Sequence, residues 1–428
     1  MCTKGDSGYD QGVNRTNGLS LTWAIRLVTV TVLVGVGAGV SGLVVSVALR
    51  EVEHFAYGYS SGTFLGAITE APPWQRVTVL AVAGVIGGVG WWALRRWGAT
   101  TVSVEQSVAG KQMPPLSTAA NVGLQVIIVG LGASIGREVA PRELGAAFAG
   151  WLSEKTRVTS RERRILIACG AGAGLAAVYS VPLGGALFAV EILLAEISFA
   201  TVLPALATAA IATIVARFVV PSTPLYTVPR LDLTPSLFVW AVFAGPVLGF
   251  AAVGFVRLVG VAERTRPRSW LIVLVMPAVF TVVGVTSLVF PEVLGNGKAL
   301  GETAFAGAMP FGVLGLLALV KVVATTATIG SGAAGGTLTP SLAIGACIGA
   351  ALGGVWEIVW PGGPVAAFAF VAAAAFLAST MRAPFTALVL VIEFTNQGPA
   401  LLVPTMVCIA GAVAISYLLA RRRVTGIA

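Results

Sequence analysis

The chain has 428 residues, 57% hydrophobic and 11% charged, with a mean hydropathy of +0.91. That balance excludes a water-soluble globule, whose surface needs far more charge. The formal net charge of +9 does not signal nucleic acid, because the basic residues at 155–164, 257–268 and 421–423 lack interleaved aromatics and read instead as cytoplasmic retention signals.

In chain order, residues 1–22 are polar, without the charged-then-apolar pattern of a signal peptide, and read as a cytoplasmic tail. Apolar runs at 27–49, 77–94, 237–256, 270–290 and 401–420 approach or exceed the roughly 20 residues that cross a bilayer. Ten or more membrane helices are expected, many tilted or short. His54 is the only histidine and reads as an interfacial loop residue. Cys2, Cys169, Cys347 and Cys408 have no paired spacing, so they read as packing residues, with no metal site and no redox couple.

The most informative stretches are two Gly-rich breaks inside apolar runs, GASIGREVAP (132–141) and GSGAAGGTLTP (330–340), which nearly repeat at a spacing of 200. A second block repeats too: Leu175, Pro182 and Glu191 match Leu377, Pro384 and Glu393, each offset by 202. Two blocks at nearly one offset predict a duplicated fold, divided at a Pro-rich polar stretch near 221–235. The implied organisation is a tail at 1–22, a first membrane repeat at 23–220, a linker at 221–236, a second repeat at 237–420 and a cytoplasmic tail at 421–428.

Irregular backbone survives at membrane depth only where it is buried in protein or lines a cavity. In the first break, Pro141 suits the opening turn of a new helix, whose unpaired N–H groups attract anions. Glu138 is an anion on a tether: it can occupy that site and leave when protonated. The alternative is that Arg137, Glu138, Arg142 and Glu143 form ion pairs at a helix end. In the second break, the amides of 335–340 can reach the same ion. Two helix N-termini without a full positive charge favour weak, reversible anion binding over cation transport. Glu191 and Glu393, equivalent in the repeat, read as structural partners of helix ends or hydroxyls. Lys321 and Arg382 read as the buried cations, accounted for by snorkelling at helix ends.

These motifs resemble the CLC family of chloride channels and proton-coupled chloride antiporters, over about 27–417. GREVAP is similar to that family's GREGP, GSGAAGGTLTPSLAIGA to its GSGxxGGxFxP block, GAGLAAVYSVPLGGALFAVE to GLAAxFNAPLAGxLFxxE, and STMRAPFTALVLVIEFT to STRAPLTxxxxxxEMT. The resemblance implies an all-α polytopic membrane protein of many tilted and interrupted helices in two inverted structural repeats, working as a homodimer in the cell membrane. It places the gating and proton-accepting glutamate at Glu138 and the anion sites around Gly136, Arg137, Glu138, Leu338 and Thr339. Departures are also visible. The family's GSGIP serine motif is replaced by GATTVSVEQ, which leaves Thr100, Thr101 or neither as the central hydroxyl. GREVAP is one residue longer than GREGP, a possible bulge beside the gate. Ile192 stands where antiporters often carry a second glutamate, and the late tyrosine has no counterpart.

The expected function is therefore transport of chloride or another small anion, as a channel or an anion/proton antiporter. Leu338-Thr339 and the missing serine motif are also similar to the fluoride-exporting branch of the family. An inverted-repeat transporter of organic solutes would need more intramembrane polar side chains. An intramembrane enzyme would need a partnered histidine or a His-Glu-x-x-His string, and His54 is alone. No enzyme activity and no cofactor are expected, and the implied partners are a small anion, protons, lipid and a second copy of the chain.

Overall fold

The computed structural model describes residues 21–59, 62–221 and 223–424. Cys2 and most of the two expected tails lie outside these. Among the described residues the chain is helical almost throughout. The first half runs α1 (Leu21–Tyr57), α2 (Phe64–Glu70), α3 (Pro73–Trp97), α4 (Val104–Val108), α5 (Pro115–Gly130), α6 (Val139–Lys155), α7 (Ser160–Tyr179), α8 (Pro182–Leu187) and α9 (Phe199–Ala216). A π-helical turn, Phe188–Leu194, continues α8. The second half runs α10 (Pro235–Thr265), α11 (Ile272–Thr286), α12 (Lys298–Ala306), α13 (Phe311–Gly330), α14 (Leu338–Val359), α15 (Val365–Met381), α16 (Pro384–Thr395) and α17 (Leu402–Val424).

Local sequence explains where these helices start and stop. Proline occupies the opening turn of α3, α5, α8, α10 and α16, where its missing N–H costs nothing. Ser103 with Gln106 and Thr159 with Glu162 form capping boxes that open α4 and α7. His54 falls in the last turn of α1 rather than in a loop.

Among the described residues, seven helices are long and apolar enough to cross a membrane and five shorter apolar ones accompany them. Large apolar side chains cover the outside, including Phe199 at 86% exposed and Leu319 at 66%, as expected where lipid is the solvent. Inside, large side chains such as Phe188, Phe280 and Phe376 are buried, and small residues line the places where helices approach closely. Residues 165–179 of α7 and 366–379 of α15 are buried without interruption. A side chain on Gly170 would strike the backbone of α6 at the carbonyl of Gly145, 2.5 Å away, so α6 and α7 pack at backbone distance only because both positions are glycine.

The repeat read from the sequence is visible as matched elements: α5 to α8 correspond to α13 to α16 at offsets near 200. The left-handed caps that end α7 and α15, Ser180 and Arg382, differ by the same 202 residues as the sequence blocks. The architecture is that of two repeats of interrupted helices, packed so that the breaks after α5 and α13 meet inside the protein.

Candidate functional site

Each break begins where a helix stops in its last turn and a glycine takes positive φ, Gly132 at +100° after α5 and Gly332 at +106° after α13. A side chain would be strained at either position. The two irregular strands then meet: the N–H of Gly136 donates to the carbonyl of Gly336 at 2.8 Å and the N–H of Gly336 returns to Gly136 at 3.0 Å. The pairing is antiparallel. It satisfies polar backbone groups at a depth where leaving each unpaired would cost about 1–3 kcal/mol.

Glu138 closes this junction. It is fully buried and its backbone runs directly into α6 at φ −74° and ψ −16°, so the extra residue of GREVAP is absorbed in the first turn without a bulge. Its Oε1 accepts the N–H of Leu338 at 2.6 Å and its Oε2 the hydroxyl of Thr339 at 3.1 Å. Leu338 and Thr339 are the first two residues of the 22-residue α14. The carboxylate therefore sits against a helix N-terminus, where partial positive charge collects. Its two oxygens thus take the first amide and the first hydroxyl of that helix.

The adjacent charges do not form ion pairs with one another. Arg142 donates from Nε to the main-chain carbonyl of Glu138 at 2.9 Å and lies over the Phe188 ring. Glu143 accepts from Asn121 at 2.8 Å and Gln125 at 3.0 Å, and Asn121 in turn accepts from Trp91. Arg137 stacks its guanidinium 4.9 Å from the centre of the Tyr179 ring. The helix-end ion-pair alternative is thus replaced by a dispersed set of hydrogen bonds.

A cavity of about 390 Å³ reaches Arg137 and Tyr179 from the surface. Four polar atoms on its wall have no protein partner: Ser46 Oγ, Arg137 Nε, the Tyr179 hydroxyl and Asn296 Nδ2. Buried polar atoms are normally satisfied, so such a wall is suited to water or a passing anion. Glu53, held by the Tyr59 hydroxyl at 3.2 Å, and Lys298 also line it.

Lys321 corrects the snorkelling expectation. It lies inside α13 and is fully buried. Its Nζ donates to Ser134 Oγ at 3.0 Å and to the carbonyls of Val293 and Gly295 at 2.8 Å each. Because the N–H of Gly295 donates to the carbonyl of Gly132, the lysine ties the first break to the segment before α12. Arg382 is exposed rather than buried. A lysine amid an apolar helix was the sequence signal; its three partners were not readable.

Glu191 and Glu393 cap each other's helices. Glu393 accepts the N–H groups of Leu183 and Gly184 at the start of α8, at 3.0 and 2.7 Å. Glu191, in the π-helical turn, accepts those of Phe385 and Thr386 at the start of α16, at 3.2 and 2.6 Å, and the Thr386 hydroxyl. Thr100 and Thr101 are exposed on the segment between α3 and α4. The hydroxyl that reaches Glu138 is that of Thr339. The described cysteines are all buried.

A lipid-facing bundle broken at its centre, with a helix-end amide and hydroxyl gathered on one carboxylate, defines an anion-handling membrane protein. The chain belongs to the voltage-gated chloride channel family, the CLC family: residues 78–417 match that family's profile. It is 30% identical over 397 residues to a ClcB-like protein of Ralstonia nicotianae, covering 88% of this chain and 91% of that one. It is 29% identical over 387 residues to the voltage-gated ClC-type chloride channel ClcB of Salmonella typhimurium, covering 87% and 91%. Among solved structures, a slow cyanobacterial Cl−/H+ antiporter superposes with a TM-score of 0.78 at 23% identity, over 92% of this chain and 95% of that one. A CLC-type fluoride/proton antiporter gives 0.75 at 21% identity, over 93% and 96%. At these identities the structural likeness speaks to the fold.

Proposed function

We propose that the protein moves chloride across the cell membrane, with Glu138 as its gate and proton acceptor. The observation that carries this reading is the carboxylate of Glu138 seated on Leu338 and Thr339. An anion entering from the cavity competes with that carboxylate for the same donors. Protonation removes the charge that the donors favour, the side chain leaves, and the anion takes its place. Gly136, Arg137, Leu338 and Thr339 form the surroundings of the seat, and the exit of a proton with the departing carboxyl group couples the two ions. That the two structural relatives are both proton antiporters supports the coupling.

The two repeats divide at 221–236, and both ends of the chain face the cytoplasm, in keeping with the basic clusters near 155–164, 257–268 and 421–423. Two copies associate through the neighbouring helices α8, α9, α16 and α17, which expose Leu183, Phe199, Leu203, Phe385 and Met406. The deciding experiment is efflux from proteoliposomes loaded with chloride or fluoride, at a clamped potential, with external pH recorded. Chloride efflux accompanied by proton movement is expected. Fluoride efflux without chloride efflux would refute the chloride assignment, and flux that leaves external pH unmoved would refute proton coupling.

A further inference from the structure

A second cavity, of about 320 Å³, lies between the C-terminal ends of α10 and α17 and the end of α15. Arg257 and Arg264, seven residues apart, share one face of α10, and Arg382 closes the third side. Ser379 and Ser416 form its floor and hydrogen-bond to each other. Among the described residues no carboxylate lines this cavity. Among the described residues none of the three arginines takes part in an ion pair. Three uncompensated guanidiniums around one space repel each other, and the space invites a multivalent oxyanion.

Phosphate fits better than halide here. A guanidinium offers a planar fork that matches two phosphate oxygens, and it gains little from a spherical ion. The apolar part of the wall, Val253, Val256 and Leu419, would be wasted on a free inorganic ion. It also continues outward onto a lipid-facing surface: Phe250 of α10 and Leu418 of α17 are 56% and 55% exposed. Charge at one end and apolar surface running away from it is the complement of a phospholipid. Basic pockets between membrane helices at the cytoplasmic face are suited to such head groups.

We propose that this cavity binds the phosphate head group of an anionic phospholipid from the cytoplasmic leaflet, with Arg257, Arg264 and Arg382 as ligands and the acyl chains lying along α10 and α17. The site shares no residue with the cavity at Arg137, so it stands or falls separately from the gate.

The test uses the full-length protein purified in detergent, with thermal unfolding and native mass spectrometry as readouts. Phosphatidylglycerol and cardiolipin are expected to raise the melting temperature and to be retained in the gas phase, and phosphatidylcholine and inorganic phosphate to do neither. The Arg257→Gln/Arg264→Gln variant should lower the apparent affinity for phosphatidylglycerol about 30-fold, and Arg257→Lys/Arg264→Lys should restore part of it. Both arginines are exposed, so the variants fold. Equal retention of phosphatidylglycerol by the native chain and the glutamine variant would overturn the proposal. So would a shift by inorganic phosphate as large as that by lipid, which would make this a site for a soluble anion. Loss of chloride flux by the glutamine variant in purely phosphatidylcholine vesicles would also overturn it, by assigning the cavity to the ion route.

Discussion

Replacing Glu138 by glutamine tests the gate by changing charge at nearly constant shape. The native carboxylate accepts from two donors, Leu338 N–H at 2.6 Å and Thr339 Oγ at 3.1 Å. A glutamine in the same rotamer keeps its carbonyl oxygen on Leu338 and turns its amide N–H toward Thr339, whose hydroxyl can rotate to accept. Both contacts survive, but neither is charge-assisted. A hydrogen bond to a charged group contributes about 1.5–3 kcal/mol and a neutral one about 0.5–1.5. The hold on the seat therefore weakens by about 2–3 kcal/mol in total, roughly a 30- to 160-fold change in competition with an anion. Chloride efflux from proteoliposomes should rise at neutral pH and become insensitive to external pH. Proton movement driven by a chloride gradient should vanish. A Glu138→Gln variant that still moved protons, or kept the native pH profile, would refute the reasoning.

Three further outcomes follow from the same geometry. In Gly336→Ala the new methyl would come within 2.8 Å of Glu138 Cγ, and nearer still to the carboxyl group; flux should lose its pH control as in the glutamine variant, while Gly123→Ala, with nothing within 4 Å, should match the native chain. Glu393→Gln has a single acceptor for the two amides of Leu183 and Gly184; one is left unserved at about 1–3 kcal/mol, so a thermal melt should fall by about 1–3 °C, and an unchanged melt would remove the cap from the account. Lys321→Met leaves Ser134, Val293 and Gly295 without their donor, offset in part by no longer burying an ammonium. Hydrogen exchange across 131–136 and 293–296 should then speed up by at least about tenfold, corresponding to about 1.4 kcal/mol of lost protection, and unaltered exchange there would count against the clamp.

The parts of this molecule that were readable in advance are those encoded locally and then repeated. Glycine followed by proline after an apolar run marks a broken helix wherever it occurs, so both breaks, and the start of a helix near Pro141 and Pro340, could be placed from composition alone. Glu191 and Glu393 were recognisable as structural because they fall at the same point of two matching blocks, and each caps a helix of the other block. What stayed hidden depends on side chains reaching across nearly 200 residues. Lys321 meets Ser134 at a separation of 187, and nothing in an apolar helix distinguishes a lysine that reaches inward from one that reaches for the interface. The alternative of ion pairs among Arg137, Glu138, Arg142 and Glu143 is not realised, because aromatic rings, amides and a main-chain carbonyl take those groups instead. Asn121 and Gln125, on the helix before the break, look like ordinary polar residues until Glu143 folds back between them.

The paired amides of Gly136 and Gly336 have an implication for biosynthesis. Neither half carries a finished binding place: one brings the carboxylate, the other the donors that receive it, and the two-bond splice between them exists only after both have entered the bilayer. Until the second half has been made, the N–H and carbonyl of Gly136 lack these partners. Two polypeptides split between the halves would have to meet inside the membrane before this splice could form.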